Sequence, residues 1–241
     1  MQKSTKDNLL FSGAYCLIVL WQMLLPGYIL TLDMVFTPKY RLLFAEGDFY
    51  NTLPVNYLLS FLNQFLSGWV VQKIVLTTLF FCLFYLAVKF LPIPKKHYAN
   101  YWAALLFSLN PFVYERLLAG HWMHLFAYAF LPPFFYYLIE FFKEYSFKQL
   151  RWVLLWTLVI GMFSLHFLVM AVLIVSGCFI FKLIGLAVKQ LKTKTANGEW
   201  LRVGKYALVF GSLFLIFSSY WLAPYFVNRN SSLLNTFDSS N

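Results

Sequence analysis

Charge is scarce in this chain. Only 12% of its 241 residues are Asp, Glu, Lys or Arg, and nine are acidic. Soluble domains carry roughly 25% charged residues, so an ordinary water-covered globule is excluded. Cysteine is nearly absent: Cys16, Cys82 and Cys178 lie inside apolar runs with no CxxC or ligand spacing. They read as small buried hydrophobes, and neither a disulfide framework nor a thiolate metal site follows. The first apolar run has no small-residue cleavage site and is too long for a signal-peptide core, so it is expected to stay as a signal anchor.

Apolar and aromatic residues take the place of the missing charge. Hydrophobic residues make up 61% and aromatics 22%, with 28 Phe, 16 Tyr and 8 Trp; mean hydropathy is +0.68. That composition suits membrane interiors and interfacial belts, and defines an all-α polytopic membrane protein. A crossing helix needs about 20 mostly apolar residues. Runs at 8–30, 74–93, 99–114, 123–142, 151–166, 167–188 and 205–226 give seven expected spans. The stretch 151–188 is too long for one helix, and Gly161, Ser164 and His166 in GMFSLH mark a tight turn that divides it.

The 19 Lys and Arg residues set the expected orientation. With the N-terminus inside, 14 fall on inner segments and helix ends, from Lys3 and Lys6 to Arg202 and Lys205. Five fall outside: Lys39, Arg41, Lys73, Arg116 and Arg229. Fusing 151–188 into one span would move the basic stretch LKTKTANGEWLRVGK outside and spoil the asymmetry. The net charge of +10 is therefore topological, and no nucleic-acid partner is expected. The expected setting is the cytoplasmic membrane of a prokaryote, N-terminus inside and C-terminus outside. Three of the four histidines, His121, His124 and His166, then face outward.

The first outer loop, residues 31–73, is the longest connection, and connections of that length usually carry function or structure of their own. Asn56, Ser60, Asn63, Gln64 and Ser67 form one polar stripe, which predicts an amphipathic interfacial helix from Tyr57 to Val71. Asp33 follows the first span in LDMVFTP, where Phe36 and Pro38 limit how far the chain wanders. A carboxylate there is either a water-facing helix end or a general base or metal ligand. Asp48 and Glu46, in AEGDFYN, are equally readable as turn formers.

The segment NPFVYERLLAGHW, residues 110–122, places charge between two apolar runs. Asn110-Pro111 should end or kink the third span, because the residue before proline is pushed out of the helical region. Glu115 and Arg116 are neighbours, so on a helix they point about 100° apart and do not pair. Arg116 runs against the positive-inside bias and suits bidentate phosphate binding, with snorkelling to headgroups as the plainer reading. His121 and His124, at i and i+3, share a helix face without a third ligand at telling spacing. His166 would cap its turn or serve as a donor to phosphate.

LDMVFTP, the long first outer loop with its interfacial helix, and NPFVYERLLAGHW together resemble the N-terminal module of GT-C superfamily membrane glycosyltransferases, in an uncharacterised prokaryotic branch. The resemblance implies transfer of a sugar from a polyprenyl-phosphate donor on the outer face, in the cell envelope. It implies that Asp33 is the catalytic or metal-coordinating acid, and that Arg116, with Lys39 or Arg41, meets the donor phosphate. Glu115, His121, His166 and Asp48 complete the expected substrate-binding set. A paired DxD acidic signature is absent, which leaves a divalent metal open. The module is expected over residues 1–230, with 231–241 as the start of a further outer region, so that the chain would be a fragment and inactive alone. The alternatives are a transporter or lipid flippase module and a non-catalytic assembly partner. Span interiors nearly free of charge and the lack of an internal repeat speak against transport.

Overall fold

The computed structural model describes residues 5–34, 36, 38, 50–93, 98–193 and 198–227, without the side chains of 191–193. Among these residues the chain is all-helical. The helices are α1 (Thr5–Leu20, continued by the 3-10 turn Trp21–Leu24), α2 (Leu53–Phe65), α3 (Gly68–Phe90), α4 (Ala99–Ser108), α5 (Pro111–Leu118), α6 (Trp122–Ala129), α7 (Leu131–Glu144), α8 (Phe147–Phe163), α9 (Leu165–Thr193) and α10 (Glu199–Val227). Among the described residues, five stretches are long and apolar enough to cross a membrane: Thr5–Leu24, Gly68–Phe90, Trp122–Glu144, Leu165–Gln190 and Glu199–Val227. This is the make-up of a multi-pass membrane protein.

Several expected boundaries move. The first helix was expected to reach residue 30, but it stops at Leu24, because Pro26 cannot donate and Gly27 sits at φ 106°. The expected interfacial helix Tyr57–Val71 is instead α2, ending at Phe65, and α3 starts at Gly68 rather than residue 74. α3 closes at Phe90 because Pro92 holds Leu91 extended, with ψ 137°. The expected third span, 99–114, contains a ten-residue α4, which rises about 15 Å against a hydrocarbon core of about 30 Å. α8, at 17 residues, spans about 25 Å. The division of 151–188 falls at Ser164, extended at φ −156°, whose hydroxyl accepts from the Phe167 N–H at 3.5 Å.

Two packed clusters hold the bundle. One joins α1, α3, α4 and α6 through Leu79, Phe80, Leu83 and Leu125; the other joins α7 to α10 through Phe134, Phe141, Val153 and Ile160. The Phe126 and Phe163 rings, stacked at 4.8 Å, bridge them. Lipid tails are as apolar as these side chains, so close van der Waals contact and hydrogen bonds hold the helices together, not escape from water. Exposed Leu173, Phe181, Leu208, Leu215 and Ile216 on α9 and α10 fit a lipid-facing surface.

Alternating helix directions give the bundle two chemically different ends. At one end Arg202 donates to the carbonyls of Glu144 and Tyr145 (3.2 and 3.1 Å), closing α7 where Tyr145 takes φ 48°. At that end lie Lys89, Lys143, Lys148 and Arg202, near the ends of α3, α7, α8 and α10. At the other end, Gln72 bonds both backbone groups of Ile29: its Oε1 accepts from the N–H at 2.8 Å and its Nε2 donates to the carbonyl at 2.7 Å. There too Asn51 donates to Gly161 O at 2.8 Å, and the Tyr220 hydroxyl donates to Asn51 O at 2.9 Å. These bonds tie the segment following α1 and the one preceding α2 to the ends of α3, α8 and α10. His121, His124 and His166 gather at this second end.

Candidate functional site: an Asp–His–Arg relay

Asn110 starts the local architecture. Its Oδ1 accepts from the Val113 N–H at 3.0 Å, an N-cap for α5, and Pro111 takes the first helical position, where its missing N–H costs nothing. Its Nδ2 donates to Phe107 O (2.7 Å) and to the Tyr128 hydroxyl (3.1 Å). The Tyr128 ring stacks on Phe107 at 4.3 Å. The break between α4 and α5 is thus fastened to α6.

Two backbone bonds end α5: Gly120 N–H to Leu117 O at 3.0 Å, and His121 N–H to Arg116 O at 2.8 Å. With Gly120 at φ 83°, this is a Schellman stop, and it needs a residue that enters the left-handed region cheaply. Glycine is needed for a second reason. A Cβ at 120 would lie 2.8 Å from both Asp33 N and Asp33 C, and closer still to Met34 N. The segment carrying Asp33 therefore rests directly on the stop, and the Asp33 N–H donates to Ala119 O at 3.0 Å. Buried Met34, and Phe36 with its ring 5.7 Å from Trp122, hold the following residues in place.

This geometry assembles three side chains. His121 Nε2 lies 2.9 Å from Asp33 Oδ2, and His121 Nδ1 lies 3.1 Å from Arg116 Nη1. Guanidinium nitrogens only donate, so Nδ1 must accept and the imidazole proton sits on Nε2, donated to the carboxylate. His121 is therefore a neutral bridge between a cation and an anion that do not touch. The Asp33 side chain is 57% exposed and that of His121 31%, so the carboxylate faces an accessible space while its orientation is fixed from behind. Arg116 also lies over the Phe112 ring at 5.6 Å, which holds its plane and leaves other N–H groups free to donate.

Two more imidazoles continue the row. His124 lies 5.4 Å from His121 and 5.7 Å from His166, centroid to centroid, so α6 and the first turn of α9 extend the polar patch. Ser164, not His166, caps the turn before α9. Among the described residues no group of three or more His, Cys, Asp or Glu is placed to hold a metal ion. The donor set explains this at His121, whose two ring nitrogens are committed to Arg116 and Asp33. His121 therefore has no ring nitrogen left for a metal ion.

Of the residues singled out from the sequence, Asp33 and Arg116 each contact His121, His124 is next in the row and His166 lies beyond it. Glu115 is exposed and forms no ion pair among the described residues, pointing away from Arg116 as neighbouring helical positions do. Lys39, Arg41 and Asp48, with Glu46, lie outside the described residues. Sequence reasoning missed the bridging part of His121. Its signal was the pair Gly120-His121 four and five residues after Arg116, a helix stop that returns the chain toward its last turn. The chain matches no protein-family model, no curated protein and no solved structure.

Proposed function

We propose that the chain is a membrane glycosyltransferase module that moves a sugar from a polyprenyl-phosphate donor at the extracytoplasmic face. The observation that carries this reading is the Asp33–His121–Arg116 relay: an accessible carboxylate held in place by a neutral imidazole, with a cation behind it. In this mechanism Asp33 takes the proton of the acceptor hydroxyl as its oxygen bonds to the anomeric carbon. The anomeric C–O bond to phosphate breaks, and its electron pair leaves with the phosphate. Arg116, through N–H groups not used by His121, stabilises that departing charge, and His124 and His166 lie along the same patch. Lys39, Arg41 and Asp48 belong to the same proposal as further donor contacts.

Charge distribution supports the side. The basic residues Lys89, Lys143, Lys148 and Arg202 sit at the end opposite the relay, which the positive-inside rule places in the cytoplasm. Seven crossings are part of this proposal, with α4 and α8 counted as crossings although they are shorter than full spans.

Asp33→Asn tests the chemistry. It keeps shape and can still accept from His121, but it cannot serve as base. Membranes carrying the full chain would be offered a panel of radiolabelled sugars on short polyprenyl phosphates. Transfer should fall by ~10²–10⁴. Activity within about threefold of wild type removes Asp33 from the mechanism, on the scale set by general-base contributions.

A further inference from the structure

We propose that a groove on the flank of the bundle binds one anionic phospholipid, with an acyl chain along the groove and the phosphate between Lys89 and Lys143. The groove has a volume of about 560 Å³ and runs between the end of α3, Phe107 of α4 and the outer face of α7. It is independent of the relay, which lies at the other end of the bundle.

Three observations specify the occupant. The walls are apolar and aromatic: Phe90, Phe107, Leu131, Phe135 and Ile139 line the length, a surface that matches hydrocarbon and not a polar solute. Phe135 and Ile139 are exposed, so the groove opens sideways, toward the lipid around a crossing helix. Its depth is that of one leaflet: Lys143 lies twelve residues on from Leu131 along α7, a rise of about 18 Å against about 15 Å for half a hydrocarbon core.

Charge at the mouth chooses the headgroup. Lys89 Nζ rests 5.2 Å from the Phe90 ring and 5.6 Å from Tyr85, which holds its stem along the groove wall. Lys143 Nζ donates to Glu140 Oε1 at 2.8 Å. Two lysines and one carboxylate leave a single net positive charge among the described lining residues. That balance is neutralised by one phosphodiester, whereas Glu140 opposes a second negative charge. The ligand is therefore a singly anionic glycerophospholipid of the phosphatidylglycerol type.

Native mass spectrometry of the full chain, stripped of lipid in detergent and then given phosphatidylglycerol or phosphatidylcholine with identical acyl chains, tests this. One phosphatidylglycerol should be retained per chain, at least fivefold more than phosphatidylcholine. Lys89→Ala and Lys143→Ala should each weaken retention by about fivefold, the scale of one lysine near an anionic surface, while Lys148→Ala, outside the groove, should not. Leu131→Trp fills the groove and should reduce retention with both lysines intact; unchanged unfolding midpoints establish that the variants are folded. Equal retention of the two lipids, or of phosphatidylglycerol by wild type and the double lysine variant, would mean annular lipid only and overturn the site. Full retention by Leu131→Trp would overturn the groove as the seat of the acyl chain.

Discussion

Gly120→Ala should uncouple the relay without touching any of its three side chains. Two costs are readable from the structure. The left-handed conformation at φ 83° costs a residue with a Cβ about 1–2 kcal/mol. The new Cβ would stand 2.8 Å from Asp33 N and C, where ordinary contact begins at 3.4 Å, so the Asp33 segment must retreat by at least the 0.6 Å difference, and further at Met34. The Asp33 N–H bond to Ala119 O, now 3.0 Å, is then stretched beyond useful length, a loss of about 0.5–1.5 kcal/mol. Together the substitution should lower stability by about 1.5–3.5 kcal/mol. The same retreat takes the His121–Asp33 contact from 2.9 Å to the margin of hydrogen bonding. A misplacement near 1 Å costs about 10²-fold in a positioned reaction, so transfer should fall by that order. The assays are thermal unfolding in detergent, amide hydrogen exchange over residues 30–36, and sugar transfer by the full chain. Unchanged exchange at Asp33 together with unchanged transfer would refute the claim that the helix stop positions the carboxylate.

Arg116→Lys should keep the fold but lose at least tenfold in donor affinity, because a lysine cannot both reach His121 Nδ1 and present a planar fork to phosphate; equal affinity would return Arg116 to headgroup snorkelling. Gln72→Leu leaves the N–H and C=O of Ile29 unpaired, so the unfolding free energy should drop by about 2–4 kcal/mol, read from denaturant titration. Tyr220→Phe removes one bond to Asn51 O and should cost only about 1 kcal/mol by the same titration. With Cys16, Cys82 and Cys178 replaced, a cysteine at Leu32 should react with an impermeant thiol reagent on intact cells and one at Lys148 should not. Labelling at 148 alone would invert the orientation.

Local rules carried the sequence reading furthest. Asn110-Pro111 announced a helix break because proline constrains its predecessor, and the structure puts the end of α4 and the start of α5 there. Ser164 within GMFSLH marked the boundary of two helices in one apolar run, as observed. The end of α1 was misjudged because hydropathy carries on through Pro26 and Gly27 while helical hydrogen bonding does not. α4 was overestimated for the same reason: apolar composition continues past Ser108, but the backbone turns at Asn110. Asp33 and Arg116 were each visible as out-of-place charges. Their connection was not, since it passes through the His121 ring, and the contact between Gly120 and the Asp33 backbone leaves no mark in composition or periodicity.

The 88 residues separating Asp33 from His121 also impose an order on the protein's synthesis. Asp33 leaves the ribosome with the first helix, long before the Schellman stop that will hold it has been translated. At roughly 5–20 residues per second, the carboxylate waits about 4–18 seconds for its imidazole. The relay cannot close before α6 has been made, and His166 joins it only as α9 begins. A pause or insertion failure between α3 and α6 would strand the carboxylate without its partner, so the integrity of this site reports on early membrane insertion.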